Sequence, residues 1–312
     1  MAVASLDAGL VRRFRLRGPL DLVLTLAPLR HGRPDLVTRL LGANGVLRAT
    51  RTPEGPTTEH LRQIGDEVEV RAWGPGAGWA VEHAPALVGE GDDPCAFHPA
   101  HPFLAEIVRR YPGLRLCRSD AAYEAIVPAI LEQKVTGLEA ERVRRAMIRA
   151  FGEPAPGPPA VVTGLRLPPA PERLAHLAYY DLHPAGLERR RADVVIRLAG
   201  RAGAVERLGE IAPAEARTRL ERVAGIGPWT SAEVARVAWG DPDAISVGDY
   251  HLPNLVSLAL IGDARGADDA RMLELLAPYE GQRGRVQRLM EVAGIRGERR
   301  GPHMPARAIG RL

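Results

Sequence analysis

Apolar positions along the chain change their period near residue 90. Before it, the spacing is two. Residues 11–17 set Phe14 and Leu16 between Arg13, Arg15 and Arg17, the alternation of a half-buried strand. Glu67–Trp73 alternates in the same way and stops at Gly74-Pro75-Gly76, and a further strand is expected over Gly45–Thr52, running into Arg-Thr-Pro-Glu-Gly turn chemistry. Gly18-Pro19 opens a helix through Leu20, Leu22, Val23 and Leu26. Strands with one or two helices predict an antiparallel sheet with helices on one face. Trp73 and Trp79 suit sheet packing better than ligand contact.

Beyond the turn-rich Glu90-Gly91-Asp92-Asp93-Pro94 the period becomes helical. Residues 102–111 place Phe103, Leu104, Ile107 and Val108 on one face. Residues 123–135 keep Ile126, Ala129, Ile130 and Gln133 in register, with Pro128 inside to kink the helix. A helix is expected over 139–151, and 152–170 reads as a Pro/Gly-rich loop free to vary. Shorter helices follow at 171–178 and 187–199. The second carries Glu188-Arg189-Arg190-Arg191, a charge run that reads as a solvated face. Further helices are expected around 258–261, 271–276 and 284–292, and a basic, Pro-broken tail over 296–312. The fold class is therefore mainly α with an N-terminal α+β domain, 1–92, and a helical domain, 93–312.

Composition narrows this only a little. At 312 residues the chain can bury a substantial core. The net charge is +4 and the isoelectric point near 9.4, which permits a basic surface without dictating one. Among the 42 basic residues Lys134 is the single lysine, most simply a genome-wide preference for arginine. Two cysteines, Cys95 and Cys117, make neither a disulfide framework nor a ligand cluster. No cofactor is expected. The first ten residues lack a basic start and a long apolar run, and no apolar stretch reaches the ~18 residues of a membrane span. A cytoplasmic monomer that does not engage membranes is the expectation.

The chemistry gathers in 220–252, LERVAGIGPWTSAEVARVAWGDPDAISVGDYHL. A helical run ends at Gly225-Ile226-Gly227, and a second, 228–237, begins on Pro228, whose missing N–H costs nothing at a first helical position. Helix, Gly-apolar-Gly, helix makes a tight hairpin whose amides suit a phosphate. A connecting helix later, Gly248-Asp249-Tyr250 sets a carboxylate near the start of another helix. This combination resembles the helix-hairpin-helix DNA glycosylases, and within them the 3-methyladenine DNA glycosylase II type, whose motif is a GIGxWTA hairpin followed by a catalytic Asp. Tyr123-Glu124 and Ala129-Ile130-Leu131-Glu132-Gln133-Lys134-Val135-Thr136 stand where the family shows a Phe/Tyr-Glu and an Ala-Ile-Leu-x-Gln-hydrophobic-Ser run.

The resemblance implies a bundle of two lobes, 116–245 with the hairpin at 220–238, and 93–115 together with 246–312, behind a small antiparallel, TBP-like sheet domain. It implies a base-excision-repair enzyme acting on double-stranded DNA with damaged bases: the base is flipped out and its N-glycosidic bond hydrolysed, leaving an abasic site. Asp249 would be the catalytic carboxylate. Trp229, Tyr250 and Tyr123 would line a base pocket, and Gly225, Ile226, Gly227 and Thr230 would hold the DNA backbone. Gln133 and Lys134 would enter the minor groove, with Lys134 at the position of the family's apolar wedge. Bifunctional members carry a lysine at the hairpin position that is Trp229 here, so a simple hydrolase is implied. The family's closest type uses a C-terminal Trp, and this chain has none after Trp239, which is assigned to the core. Some relatives hold an iron–sulfur cluster on four cysteines, which two cannot supply. No side-chain metal site is expected, and a monovalent cation on hairpin carbonyls is left open. The other reading is a non-catalytic helix-hairpin-helix DNA-binding protein, which needs only Gly225–Gly227. His251 suits capping or a surface position better than acid–base work.

Overall fold

The computed structural model describes residues 9–294, so the basic tail lies outside the described residues. Strands β1 (Leu10–Arg15), β2 (Thr38–Leu40), β3 (Gly45–Thr52), β4 (Gly55–Ile64) and β5 (Glu67–Trp73) form one antiparallel sheet in the order β1-β5-β4-β3-β2. Helices α1 (Leu22–Leu26) and α2 (Ala77–Leu87) cover one face, where Leu22, Leu26, Val46, Leu61, Val70 and Ala84 share a core. The anticipated sheet is present with five strands rather than three, and α2 is an addition. The strand missed in the sequence is β4, near the centre of the sheet. Its inward positions include Thr57, Thr58 and Glu59, all buried, so the apolar alternation that marks a strand is broken there. Glu59 stands directly opposite Arg48 on β3, and the Arg48 guanidinium also binds Glu124 at 3.0 Å.

The 152–170 segment is not a free loop. It includes the short helix α6, described below, and Ala155, Leu165 and Leu167 pack on Leu47 and Ala49, covering the second face of the sheet. Burial of that face by a proline-rich strap explains why β3 is buried along most of its length.

The helical part comprises α3 (Pro102–Arg110), α4 (Ala122–Leu131), α5 (Gly137–Phe151), α6 (Pro159–Val162), α7 (Pro171–Ala175), α8 (Tyr179–Leu182), α9 (Arg189–Ala199), α10 (Ala202–Glu206), α11 (Pro213–Glu221), α12 (Pro228–Val234), α13 (Leu252–Ile261), α14 (Asp269–Leu276) and α15 (Arg283–Ala293). One apolar core runs through α4, α9 and α12, with Ile126, Ile130, Val195, Leu220 and Val234 fully buried. A separate core joins α3, α13, α14 and α15 through Leu104, Val256, Met272 and Val286. Arg191 corrects the solvated-face reading of the charge run. It is buried on α9, donates to the Leu131 carbonyl at 2.6 Å, and faces Glu139 and Glu188. Trp73 and Trp239 are core residues, and Trp79 stacks on His83.

Helix α4 ends four residues earlier than its apolar period suggests. Glu132 and Gln133 close onto Pro128 and Ile130, and Lys134 turns the chain with φ 54°. Thr136 then starts α5 by accepting the Glu139 amide. A positive φ is uncommon for a residue with a side chain and costs on the order of 1 kcal/mol or more. Helix α4 also begins without a cap of its own. The Glu206 carboxylate, from α10, takes the Ala122 and Tyr123 amides at 2.8 and 3.0 Å in its place.

Candidate active site

The hairpin joins α11 to α12, and its two glycines do different work. Gly225 has φ 93°, and a Cβ there would sit 2.5 Å from Val194 Cγ2, so both backbone and packing exclude a side chain. Gly227 has an ordinary extended backbone, φ −110°, and a Cβ there would meet nothing within 4 Å. This corrects the expectation that both glycines need positive φ. Neither the fold nor its packing demands glycine at 227, which leaves its surface open to an approaching group. Ser231 is the residue whose amide bonds back to the Gly227 carbonyl, so the amides before it in α12 have no intrahelical acceptor.

Gln133 fixes this turn from below. Its side-chain amide donates to the Gly225 carbonyl at 3.0 Å and to Thr230 Oγ1 at 2.9 Å. The amide hydrogens expected for the minor groove are thus spent on the hairpin. Thr230, expected to meet the DNA backbone, is 2% exposed, so its hydroxyl supports the turn from inside. Ile226 is also buried, an apolar peg under the turn. Arg197 holds the Ala224 carbonyl. Among the described residues no group of His, Cys, Asp and Glu side chains is placed to hold a metal ion.

Asp249 follows Gly248, whose φ of 90° turns the chain into α13 and whose amide donates to Asp269 at 3.1 Å. Three N–H groups converge on the Asp249 carboxylate. The His251 and Leu252 amides reach Oδ1 at 2.8 and 2.9 Å, and Trp229 Nε1 reaches Oδ2 at 3.0 Å. A carboxylate has about four acceptor positions, so one stays open. No arginine or lysine pairs with Asp249 among the described ion pairs, and the residue is half-exposed. It is a capping acid with spare capacity. His251 contributes its backbone here and is exposed.

The structure does not gather the three expected aromatics round one cavity. Trp229 contacts Asp249. Tyr250 is 82% exposed, with its ring edge-on to His251. Tyr123 is 6% exposed inside the helical core, and burial, with Glu172 and Glu206 nearby, pushes its phenol up. Lys134 is exposed, one residue from the Gln133 tether.

A cavity of about 260 Å³ lies further along α12. Glu233 and Arg236 of α12, Arg288 and Glu291 of α15, Glu132 after α4, and His31 all line it. Arg236 bridges the two acids, to Glu233 at 3.0 Å and Glu291 at 2.7 Å, and Ser246 Oγ is bonded to Glu233. These residues were not singled out in the sequence. The available signal was Glu233, four residues after Trp229 and hence on the same face of α12.

No family model matches the chain. Its fold is shared with a 3-methyladenine DNA glycosylase from Archaeoglobus fulgidus, at a TM-score of 0.72 and 18% identity, over 90% of this chain and 97% of that one. It is also shared with the Clostridium acetobutylicum 8-oxoguanine glycosylase/lyase, solved with double-stranded DNA, at a TM-score of 0.66 and 11% identity, over 93% of this chain and all of that one. In sequence, 141 residues are 30% identical to Escherichia coli DNA-3-methyladenine glycosylase 2, 45% of this chain and 49% of that one. The chain belongs to the helix-hairpin-helix DNA glycosylases. It spans between 30% and 60% of the length of the curated relatives it matches. In this glycosylase-family chain, hairpin and acid are joined by one indole N–H. The sheet, the helical part and the whole of the candidate site lie within one shared fold.

Proposed function

We propose that this protein is a monofunctional DNA glycosylase that releases an alkylated or otherwise damaged base from duplex DNA and leaves an abasic site. The single observation carrying this is Asp249, held by three N–H groups, one of them from the hairpin helix, with an acceptor position to spare. Breaking the C1′–N bond sends its electron pair to the base and leaves oxocarbenium character on the sugar. Asp249 stands against that charge and accepts a proton from the water that adds to C1′, while the departing base nitrogen is protonated. Trp229 occupies the hairpin position where a lyase would carry its amine, so the intermediate meets water instead.

In this reading the helical part works as two lobes, 116–245 and 93–115 with 246–312, each round its own apolar core, behind a TBP-like sheet domain. DNA is clasped at Gly225–Gly227, a site that suits a monovalent cation as well as a phosphate. Lys134 enters the groove where the base has left, its stem packing and its ammonium reaching a phosphate. The non-catalytic alternative explains the hairpin but not the Trp229–Asp249 bond. Asp249→Asn is expected to bind duplex DNA as before and to lose abasic-site formation, scored as alkali-labile breaks in single-lesion duplexes. Undiminished base release by that variant sinks the assignment.

A further inference from the structure

The cavity described above is placed to receive whatever Asp249 acts upon. Trp229 and Glu233 are one helical turn apart on α12, about 5.4 Å along its axis. They face the same strand of loop: Trp229 bonds Asp249, and Glu233 bonds Ser246, three residues earlier. A group whose sugar lies at Asp249 therefore projects its far end toward Glu233. The cavity volume, about 260 Å³, is several times the ~30 Å³ share of one water, and accommodates a bicyclic base.

Resting on the glycosylase reading, we infer that the base taken by this cavity is a neutral oxopurine, recognised by hydrogen bonds to its lactam edge rather than by stacking. No Trp, Tyr or Phe is among the described residues lining the cavity. A cationic alkylpurine would find no ring face there, and cation–π attraction is what draws such bases to aromatic pockets. The lining acids are matched by arginines, so no net negative field compensates. What the cavity offers is donors and acceptors side by side. Arg236 and Arg288 present N–H groups suited to a C=O, and Glu291 and Glu132 present acceptors suited to a ring N–H.

The two buried acids are not equivalent. Burial pushes the Glu233 carboxyl up, against Arg236 and Ser246, which favours its O–H form as a donor. Burial opposes ionisation of Glu291 too, but Arg236 and Arg288 together outweigh it and hold that carboxyl down. Neighbouring acids with separated protonation states can read a group that both donates and accepts. Mis-matching such a site leaves buried polar groups unpaired, which discriminates more strongly than an apolar pocket can.

The test compares single-turnover release of hypoxanthine from defined duplexes with release of 3-methyladenine from methylated DNA, using the full chain. Hypoxanthine is expected to leave at least about tenfold faster, the worth of one net hydrogen bond. Glu233→Gln is expected to slow hypoxanthine release about tenfold or more and to leave 3-methyladenine release within about twofold. Glu132→Gln, at the half-exposed side of the cavity, repeats the test where a buried substitution fails to fold. Affinity for a duplex carrying a stable abasic analogue is measured in parallel and is expected to stay constant. Faster release of 3-methyladenine, or equal loss of both activities in both variants, overturns the oxopurine inference and leaves the glycosylase reading standing. Release of neither base, with abasic-duplex affinity intact, overturns the glycosylase reading and this inference with it.

Discussion

Replacing each hairpin glycine by alanine separates what the fold requires from what a ligand requires. At Gly225 the φ of 93° costs an alanine about 1–2 kcal/mol. Its Cβ would lie 2.5 Å from Val194 Cγ2, well inside the ~3.5–4.0 Å of ordinary carbon contact. Val194 is 4% exposed, so it moves only by disturbing the core, at roughly 1–3 kcal/mol. Gly225→Ala should therefore lose about 2–4 kcal/mol, a fall in Tm of roughly 5–15 °C for a chain of this size. Gly227→Ala has an ordinary φ and open space, and should stay within about 0.5 kcal/mol of the parent or gain slightly from a less flexible unfolded chain. Its cost should appear in binding instead. Gly227→Asp sets a carboxylate against the phosphate and should weaken duplex binding across sequences, reducing the salt slope by about 1. Calorimetric melting and fluorescence anisotropy over a salt series read both quantities. Equal destabilisation by the two alanines, or an unaltered salt-dependent affinity in Gly227→Asp, refutes the division of labour.

Two further expectations follow from the same geometry. Lys134→Ala should slow base release from duplex more than from single strands, because only a duplex has a stack to refill; equal slowing removes the wedge role. Burial pushes Glu59 up to about 7, relieved in part by Arg48, and burial likewise pushes Glu206 up to about 7 despite the two amides it holds. Each folded-state value is raised above the ordinary 4.5, so the folded protein binds more protons than the unfolded one between them. Their contribution is fully present below about pH 4.5 and is lost as pH rises through about 7, by at most ~1.4 kcal/mol per pH unit per group. Urea unfolding of the parent and Glu59→Gln at pH 5 and pH 8 should show a parent that loses more on the alkaline side. Parallel losses in the two proteins rule Glu59 out.

The parts of the site that are contiguous in sequence were legible there. The hairpin, the Pro228 start and the Asp after Gly248 are local patterns, and each sits where its local chemistry puts it. What failed were inferences needing the third dimension. Tyr123 matches a motif yet faces the helical core, because its position on α4 points inward. Arg191 in a run of arginines reads as wet, while its guanidinium closes the Leu131 carbonyl inside the bundle. Strand β4 hides because a Glu–Arg pair and threonines replace the apolar residues that announce a strand. The charged cavity draws on α12, α15, the end of α4 and His31, segments no spacing rule connects.

Helix α4 carries the sheet's ion cluster near its beginning, where Glu124 meets Arg48 and Thr50, and the hairpin's tether just past its end, at Gln133. Ten residues, about 15 Å of stiff rod, span the two. The N-terminal sheet is thereby a mechanical brace for the DNA grip rather than an appendage. Excising it would strip Glu124 of its partners and slacken a lever whose far tip positions Gly225.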